Sequence, residues 1–256
     1  ATPSGWSPKK WALRQGIEAA HYPHLAFTDG DCQAPPTWLQ QLARPLAAGK
    51  AIVLGIGNLR ARNGLAGRLA ATDTVLTALQ YAGAAGLGLP YMGVGRNLAY
   101  RRELAGSSPF AAHAQRLSGD DDLFVNAHAT AANTAVIRAP GSWTWTEPPP
   151  SLRAWLHQKR RHLSAGTAYR PLPKVLLAGF HLSMALSLGL EIGGLLAGWA
   201  GQLPLPGPGF LALIALGMLL RVLVCQMAAR ALQHPQLLFI FPIIRLYWIA
   251  FDVAVA

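Results

Sequence analysis

The sequence predicts an α/β domain followed by helices that lie in a membrane. Over residues 1–150, apolar runs of strand length alternate with segments of helical composition, which is typical of layered α/β domains. Residues 175–256 form a region that is almost entirely apolar. Only 13% of the 256 residues are charged, whereas a soluble domain carries about 25%. The composition therefore points away from a purely soluble protein, and it is far too apolar for a disordered one.

The charge is divided unequally between these two regions. Residues 1–174 carry 19 Lys and Arg against 9 Asp and Glu, and residues 175–256 carry 3 against 2. A basic region is typical of proteins that bind nucleic acid, anionic lipid or phosphorylated small molecules. The sequence has no recognition-helix pattern, RNP-type strand or zinc-finger spacing, so nucleic acid is not an expected partner. Cys32 and Cys225 lie in regions of opposite character, which indicates two reduced thiols.

The first half of the α/β region is expected to contain three helices and two strands. Apolar residues at helical spacing predict a helix over 11–20. The run HLAFTDGDC (24–32) predicts a buried strand that leads into an acidic loop. After the Pro35-Pro36 turn, a helix is expected over 38–46. The run AIVLGI (51–56) predicts a second strand, and the composition of 65–79 indicates a helix.

The second half carries a similar alternation. The segment YMGVGRNLAYRRELA (91–105) predicts a strand or loop with two glycines, then a helix from near Asn97. A short helix is expected over 109–116, and three acids at 120–122 fit the start of another, where the helix dipole tolerates negative charge. A strand is expected over 134–138, followed by a loop to Pro150. Ser151 then opens a basic amphipathic helix, SLRAWLHQKRRHL.

Three apolar stretches follow, over 175–200, 210–229 and 237–256. Because a spanning helix needs about 20 apolar residues, we expect the first two to cross a membrane. The third carries Arg245 and Asp252 on one face, so it either spans or lies in the interface. We therefore divide the chain into a catalytic domain (1–150), a basic interface helix (151–174) and a membrane region (175–256).

A cluster of basic residues directly precedes the first apolar stretch. By the positive-inside rule, this cluster places the front domain in the cytoplasm, on a bacterial inner membrane. The alternative is a solvated basic face without topological meaning. The cluster consists of Lys159, Arg160, Arg161, Arg170 and Lys174.

Three groups of polar residues are candidates for chemistry. Asp29 and Asp31, one residue apart at a strand end, can jointly bind a divalent cation, although a surface turn gives the same pattern. The trio 120–122 is expected to raise the pKa of at least one acid, which would suit a proton acceptor; ordinary charge at a helix start is the alternative. Gln158 and Arg161 share a helix face, as they also would on a solvated basic helix.

The order of these motifs resembles that of the membrane-bound family 2 glycosyltransferases. The matching segments lie within residues 9–162, in the family's order and approximate spacing. They are KKWALRQGIEAA (9–20), FTDGDC (27–32), GVGRNLAYRRE (93–103), SGDDDLF (118–124) and QKRRH (158–162). The resemblance implies a GT-A fold and an inverting transfer of sugar from a nucleoside-diphosphate sugar.

The resemblance also implies roles for single residues. Asp31 would ligate a divalent metal, Mg²⁺ or Mn²⁺, with Asp29 as the second member of the pair, nearer the ribose. Asp120 would be the catalytic base, with Asp121 as the alternative. Lys10, Gln158 and Arg161 would contact the donor diphosphate. The segment beside the acceptor and donor sugar would contain Gly95, Asn97, Leu98 and Arg101.

Two features depart from the family pattern. His162 stands where the family motif usually ends in Trp, and an imidazole offers less stacking area to an acceptor sugar. The family's first nucleotide-binding strand would precede Lys9, so an N-terminally incomplete donor-binding domain is expected. The predicted function is transfer of a sugar to a hydroxyl of a lipid, lipid-linked or polysaccharide acceptor at the cytoplasmic membrane face. The alternatives are a non-catalytic or truncated membrane partner of glycosyltransferase descent and a metal-dependent phosphohydrolase.

Overall fold

The computed structural model of the chain describes residues 1–60, 64–106, 110–199 and 208–234. These residues form two compact units, Ala1–Arg170 and Pro171–Ala256. The first unit mixes helices and strands, and the second is helical where it is described. The α/β fold class is therefore confirmed, while the further division of the first unit at residue 150 stays a prediction.

The elements of the first unit follow one another in the order that the sequence predicts, with some differences described below. They are α1 (Pro8–Ala19), β1 (His24–Phe27), α2 (Trp38–Ala47), β2 (Ile52–Leu54), β3 (Gly57–Leu59), α3 (Leu65–Gly86), β4 (Leu98–Arg101), α4 (Asp122–His128), β5 (Thr134–Val136), β6 (Thr144–Thr146) and α5 (Leu152–Gly166).

The main sheet has four strands in the order β1-β4-β2-β5. β4 runs antiparallel to both β1 and β2, and β2 pairs with β5 in parallel. β3 and β6 form a separate parallel pair. One face of the main sheet packs against α2, where the core consists of Trp38, Leu42, Leu46, Val53, Ala99 and Ile137.

The helix expected from Asn97 is wrong, because residues 98–101 form strand β4. Leu98, Ala99 and Tyr100 are all buried between the neighbouring strands β1 and β2. A strand that is covered on both faces reads as a continuous apolar run without alternation, so it is hard to separate from a helix by periodicity. A 3₁₀ turn, Gly95–Asn97, precedes the strand.

The strand expected over 51–56 is confirmed in shorter form as β2, and a further strand, β3, follows at residues 57–59. Gly55 lies between them, against the side chain of Asn97, whose Oδ1 would be 2.2 Å from a Cβ at that position. No larger residue fits there without moving Asn97. The glycine therefore allows the chain to leave the main sheet and begin the β3–β6 pair.

Other boundaries also differ from expectation. The helix expected over 65–79 continues to Gly86, and the loop expected before Pro150 contains β6. Within the described residues, the short helix near 109–116 is a 3₁₀ turn, Ala111–His113. The strand near 134 and the helix opened by Ser151 are confirmed; the Ser151 hydroxyl caps α5 by accepting a hydrogen bond from the N–H of Ala154.

The described part of the second unit contains helices α6 (Pro171–Trp199) and α7 (Pro208–Ala231). Two segments, Pro171–Trp199 and Gly209–Ala231, have mean hydropathies of 1.7 and 2.2 and are long enough to cross a membrane. The first two expected stretches are thus confirmed as long apolar helices. The third, 237–256, lies outside the described residues.

Candidate active site

The loop after β1 carries the acidic motif, as predicted. A backbone hydrogen bond from the N–H of Cys32 to the carbonyl of Asp29 closes a turn. One carboxylate oxygen each of Asp29 and Asp31 and the Cys32 sulfur lie within 4.8 Å of one another. Carboxylate oxygens at this spacing fit a divalent cation, and the thiol adds a third donor of softer character. The residues present therefore fit the metal that the motif implies.

Lys9 links this loop to the acidic trio. Its Nζ lies 3.4 Å from Asp29 Oδ1 and 2.9 Å from Asp120 Oδ2. Burial opposes the charge on Lys9, but the carboxylates of Asp120 and Asp29 outweigh it and raise the pKa of Lys9. Two acids that are 91 positions apart in the sequence thus face a single ammonium group.

Lys10, the lysine predicted to contact the diphosphate, points elsewhere. Its side chain is buried, and Nζ donates to the carbonyl oxygens of His113 (2.7 Å) and Ser118 (2.8 Å). The Ser7 hydroxyl accepts a hydrogen bond from the N–H of Lys10 and caps α1. Consecutive helical residues lie about 100° apart around the axis. This N-cap therefore directs Lys9 toward the acids and Lys10 into the protein.

The three consecutive acids make three different sets of contacts. Asp120 pairs with Lys9. Asp121 accepts hydrogen bonds from the N–H groups of Gly95 (2.6 Å) and Asp122 (2.8 Å). Asp122 accepts from the Tyr169 hydroxyl at 2.9 Å and from the N–H of Leu123 at 2.8 Å. Asp120 is thus the acid of the trio that pairs with Lys9, the lysine that also contacts Asp29 in the loop after β1.

The predicted rise in pKa occurs in Asp121 and Asp122, which each accept two hydrogen bonds. Burial and the charge of Asp121 raise the pKa of Asp122 to about 7, against the opposing hydrogen bond from Tyr169. Burial and the charge of Asp120 raise the pKa of Asp121. A proton on Asp122 relieves the repulsion among three adjacent carboxylates. Asp122 therefore takes up a proton more readily than an ordinary carboxylate, and it does not line the cavity.

The glycine-rich segment, residues 93–98, contacts the acidic trio through a hydrogen bond to Asp121. Gly95 holds Asp121, and Leu98 is buried beside it. The amide of Asn97 donates to the carbonyls of Ile56 (2.8 Å) and Ser142 (2.7 Å), and its Oδ1 accepts from Trp38 Nε1 (2.9 Å). Asn97 is fully buried and is committed to these three partners. Its side chain joins α2, the segment between β2 and β3, and the turn before β6.

The structure does not bring Arg101 to the acids. In the antiparallel register, Phe27 pairs with Leu98 at the end of the strands next to Asp29, while His24 pairs with Arg101 at the other end. Three residues of strand separate the two ends by about 10 Å. Arg101 lies 3.6 Å from Glu103 and lines a different hollow.

A cavity of about 490 Å³ joins the elements that carry the acids. Its polar lining comes from the β1 loop, α1 and the start of α4, and its apolar lining includes Phe27, Leu98 and Tyr100. This volume suits a small-molecule ligand. The site residues that line it are Lys9, Asp29, Gly95, Leu98, Asp120 and Asp121.

Helix α5 carries the predicted Gln158 and Arg161. Two other residues of this helix, Trp155 and Lys159, hold it against the rest of the unit. Trp155 is buried, and Lys159 Nζ lies 2.8 Å from Oδ1 of the buried Asp73 on α3. Arg161 contacts its neighbour His162, with Nη2 3.4 Å from Nε2. Gln158 is half-buried and Arg161 is exposed.

A comparison with protein families bears on the first part of this site. The model of the family described as "Glycosyl transferase family 2" matches residues 3–105. Residues 3–105 are therefore similar to glycosyl transferase family 2 domains. The match includes Lys9, the Asp29–Asp31 pair and the Gly95–Arg101 segment, and it supports a general role in glycosyl transfer. No curated protein matches the chain.

The acidic trio and α5 lie beyond the matched residues, so their roles depend on geometry. Sequence reasoning placed Asp29, Asp31 and Asp120 in one region, and the structure brings Asp29 and Asp120 to the same lysine. It missed Lys9 because adjacent lysines in a helix are distinguished only by the helix phase. It also missed Asp73 and Tyr169, whose partners are 86 and 47 positions away in the sequence.

Proposed function

We propose that the protein transfers a sugar from a nucleoside-diphosphate sugar to a hydroxyl of a lipid, lipid-linked or glycan acceptor at the cytoplasmic face of a membrane. The observation that carries the proposal is the convergence of Asp29 and Asp120 on Lys9 at one cavity, most of whose lining residues lie in the part of the chain that matches glycosyl transferase family 2. The two long apolar helices support a membrane-bound acceptor.

Asp29 and Asp31, with Cys32 beside them, would hold a divalent cation. When bound, such a cation supplies positive charge to the diphosphate oxygens of the donor as the nucleoside diphosphate leaves. Arg161 would add charge-assisted hydrogen bonds to the same oxygens, with Gln158 beside it. Lys9, rather than Lys10, is the lysine that supports this site, because only Lys9 reaches the acids.

Asp120 would accept the proton of the acceptor hydroxyl. One of its oxygens, Oδ2, is paired with Lys9, which fixes the carboxylate, and Oδ1 has no hydrogen-bond partner among the described residues. The acceptor oxygen then bonds to the anomeric carbon as the bond from that carbon to the phosphate oxygen breaks. The leaving diphosphate takes the bonding electron pair, and a single displacement inverts the configuration.

The test is release of nucleoside diphosphate from a panel of sugar nucleotides by the full chain in detergent, with and without Mn²⁺. We expect metal-dependent release from at least one donor, and its loss in Asp31→Ala. Glu18→Ala is the matched control, since Glu18 is a carboxylate of α1 that pairs with Arg14. Folded protein that releases no nucleoside diphosphate, with or without lipid extract, would contradict the proposal and favour a non-catalytic membrane partner. Phosphate release from simple esters would favour a phosphohydrolase.

The membrane orientation needs its own measurement. The basic residues before α6, including Arg170 and Lys174, favour the cytoplasmic side for residues 1–170. We expect a protease added to sealed inverted inner-membrane vesicles to cleave this unit, and the same protease added to spheroplasts to leave it intact. The reverse pattern would place the unit on the other side of the membrane.

A further inference from the structure

Three donor atoms lie together on the loop after β1. One carboxylate oxygen each of Asp29 and Asp31 and the Cys32 sulfur are within 4.8 Å of one another. Bonds to a zinc-type cation are about 2.3 Å from sulfur and about 2.0–2.2 Å from a carboxylate oxygen, so two ligands on opposite sides of one ion are about 4.5 Å apart. One cation can therefore reach all three atoms after small rotations of the side chains.

The Cys32 thiol is directed at Asp31. Its sulfur lies 3.9 Å from Asp31 Oδ1, and an oxygen and a sulfur at a tetrahedral angle around zinc are about 3.6 Å apart. The turn that holds the thiol there is closed by the hydrogen bond from the N–H of Cys32 to the carbonyl of Asp29, at 3.0 Å. Among the described residues, no other side chain forms a hydrogen bond with the Asp31 carboxylate or the thiol. Both groups can therefore turn toward an ion without losing a side-chain partner.

The two aspartates differ in how far their charge is neutralised. Lys9 Nζ lies 3.4 Å from Asp29 Oδ1, whereas no basic residue in the described ranges forms an ion pair with Asp31. A cation between the aspartates would thus meet less than two full negative charges. Because affinity for a divalent cation depends on the charge of its ligands, a further anionic ligand strengthens such a site. A thiolate at Cys32 supplies the charge that Lys9 offsets.

We propose that Cys32 is the third protein ligand of the cation at Asp29 and Asp31, bound as a thiolate, and that it makes the site prefer softer divalent cations such as Zn²⁺ to Mg²⁺. This assignment rests on the proposed function, which places a divalent cation at the two aspartates. Binding forms a bond between the sulfur and the cation and releases the thiol proton to solvent. Thiolate ligands favour softer cations, while Mg²⁺ is bound by oxygen.

The alternative is that Cys32 is a half-buried thiol of the turn and that the aspartates bind the cation without it. Two substitutions separate these roles. Cys32→Ser removes the sulfur and nearly keeps the size of the side chain. Cys32→Asp keeps a negatively charged ligand but replaces sulfur with oxygen.

The two roles predict different cation affinities. If Cys32 is a ligand, we expect Cys32→Ser to weaken Zn²⁺ binding about 10- to 100-fold, as for loss of a group that orients a metal ligand, or more. Mg²⁺ binding should change less than about threefold, because Mg²⁺ keeps oxygen ligands and waters. Cys32→Asp should lower the ratio of Zn²⁺ affinity to Mg²⁺ affinity while still binding both cations.

The experiment is titration of the full chain in detergent with Co²⁺, followed by competition with Zn²⁺ and with Mg²⁺. A sulfur ligand to Co²⁺ gives a charge-transfer absorption in the near ultraviolet, which reports ligation without any turnover. Cys225→Ser is the matched control, because the chain has two cysteines and Cys225 lies on α7. We expect the absorption in the unsubstituted protein and in Cys225→Ser, and its loss in Cys32→Ser.

A second measurement needs no substitution at the site, so it holds even if Cys32→Ser does not fold. Cd²⁺ is added to the unsubstituted protein, and the rate at which iodoacetamide alkylates each cysteine is measured by mass spectrometry of its peptide. We expect Cd²⁺ to slow the alkylation of Cys32 and to leave that of Cys225 unchanged. Equal rates at Cys32 with and without Cd²⁺ would overturn the inference.

The outcomes distinguish this inference from the proposed function. Co²⁺ binding without the absorption, or an absorption that persists in folded Cys32→Ser, would show that Cys32 is not a ligand. Equal losses of Zn²⁺ and Mg²⁺ affinity in Cys32→Ser would overturn the proposed preference. In each case metal-dependent release of nucleoside diphosphate would leave the proposed function standing. If the unsubstituted protein binds no divalent cation and turns over no donor, the proposed function itself fails.

Discussion

The two units of the chain hold their charged and polar groups in different ways. In the unit of residues 1–170, Lys10, Asn97 and Asp122 are buried and bond to segments far away in the sequence. In the unit of residues 171–256, Glu191 on α6 lies 3.1 Å from Arg221 on the neighbouring α7, and Arg221 also donates to Ser187 at 2.7 Å. The first arrangement joins distant segments of the unit that contains the cavity, and the second joins two apolar helices.

This difference matches the roles that we propose for the two units: the first carries out the chemistry, and the second anchors the protein. At the cavity, like charges are kept close to one another, since Asp120 and Asp121 are adjacent and both line it. Between α6 and α7, opposite charges neutralise each other, which lowers the cost of placing them among apolar residues. Substitutions in the first unit should therefore change activity and pH dependence, whereas those in the second should change only helix association.

The largest expected effect is on turnover. Asp120→Asn removes the group proposed to accept the acceptor proton while keeping its shape, so we expect the rate to fall about 10²- to 10⁴-fold. The measurement is nucleoside-diphosphate release with the donor identified in the panel. Asp122→Asn is the comparison, because Asp122 bonds to Tyr169 and does not line the cavity. A loss of less than about threefold in Asp120→Asn would refute the catalytic role.

The next largest effect is expected at Asn97. Asn97→Ala leaves the Trp38 indole N–H and the carbonyls of Ile56 and Ser142 without their buried partner. Unmade hydrogen bonds of this kind cost about 1–3 kcal/mol each, so we expect the free energy of unfolding to fall by at least about 3 kcal/mol. Trp38→Phe removes only one of these three hydrogen bonds. Comparing its loss of stability with that of Asn97→Ala tests whether the losses add. Normal stability with lost acceptor binding would instead support the direct acceptor contact that the sequence suggests.

The positions of Asn97 and the lysines show what the sequence can and cannot predict. Strand β1, its acidic loop and helix α5 were predictable, because each is defined by local pattern: an apolar run, a turn motif and a serine cap. Strand β4 was not, because burial on both faces removes the alternation that marks a strand. The choice between Lys9 and Lys10 depends on helix phase, which the Ser7 cap sets.

A pH dependence is expected from Asp122. Its pKa is about 7 in the folded protein, above the ordinary value of 3.8, so the folded state binds this proton more tightly than the unfolded state does. The contribution to stability is therefore present below pH 4 and is lost as the pH rises to about 7, by about 2–4 kcal/mol. Asp122→Asn should flatten this part of the curve. Chemical unfolding of both proteins between pH 4 and 8 measures the difference; parallel curves would show that Asp122 does not titrate there.

The smallest effect is expected from the ion pair of the second unit. Arg221→Leu removes a partner of Glu191 and of Ser187, and polar contacts between membrane helices are worth about 0.6–1.7 kcal/mol. We expect a loss of about 1 kcal/mol in the stability of the α6–α7 pair and no change in the rate of donor turnover. A double-mutant cycle with Glu191→Gln, measured by unfolding in mixed micelles, isolates the pair from the cost of leaving Glu191 alone. Should Arg221→Leu abolish turnover while α6 and α7 remain associated, the second unit takes part in the chemistry, and the contrast between the two units no longer holds.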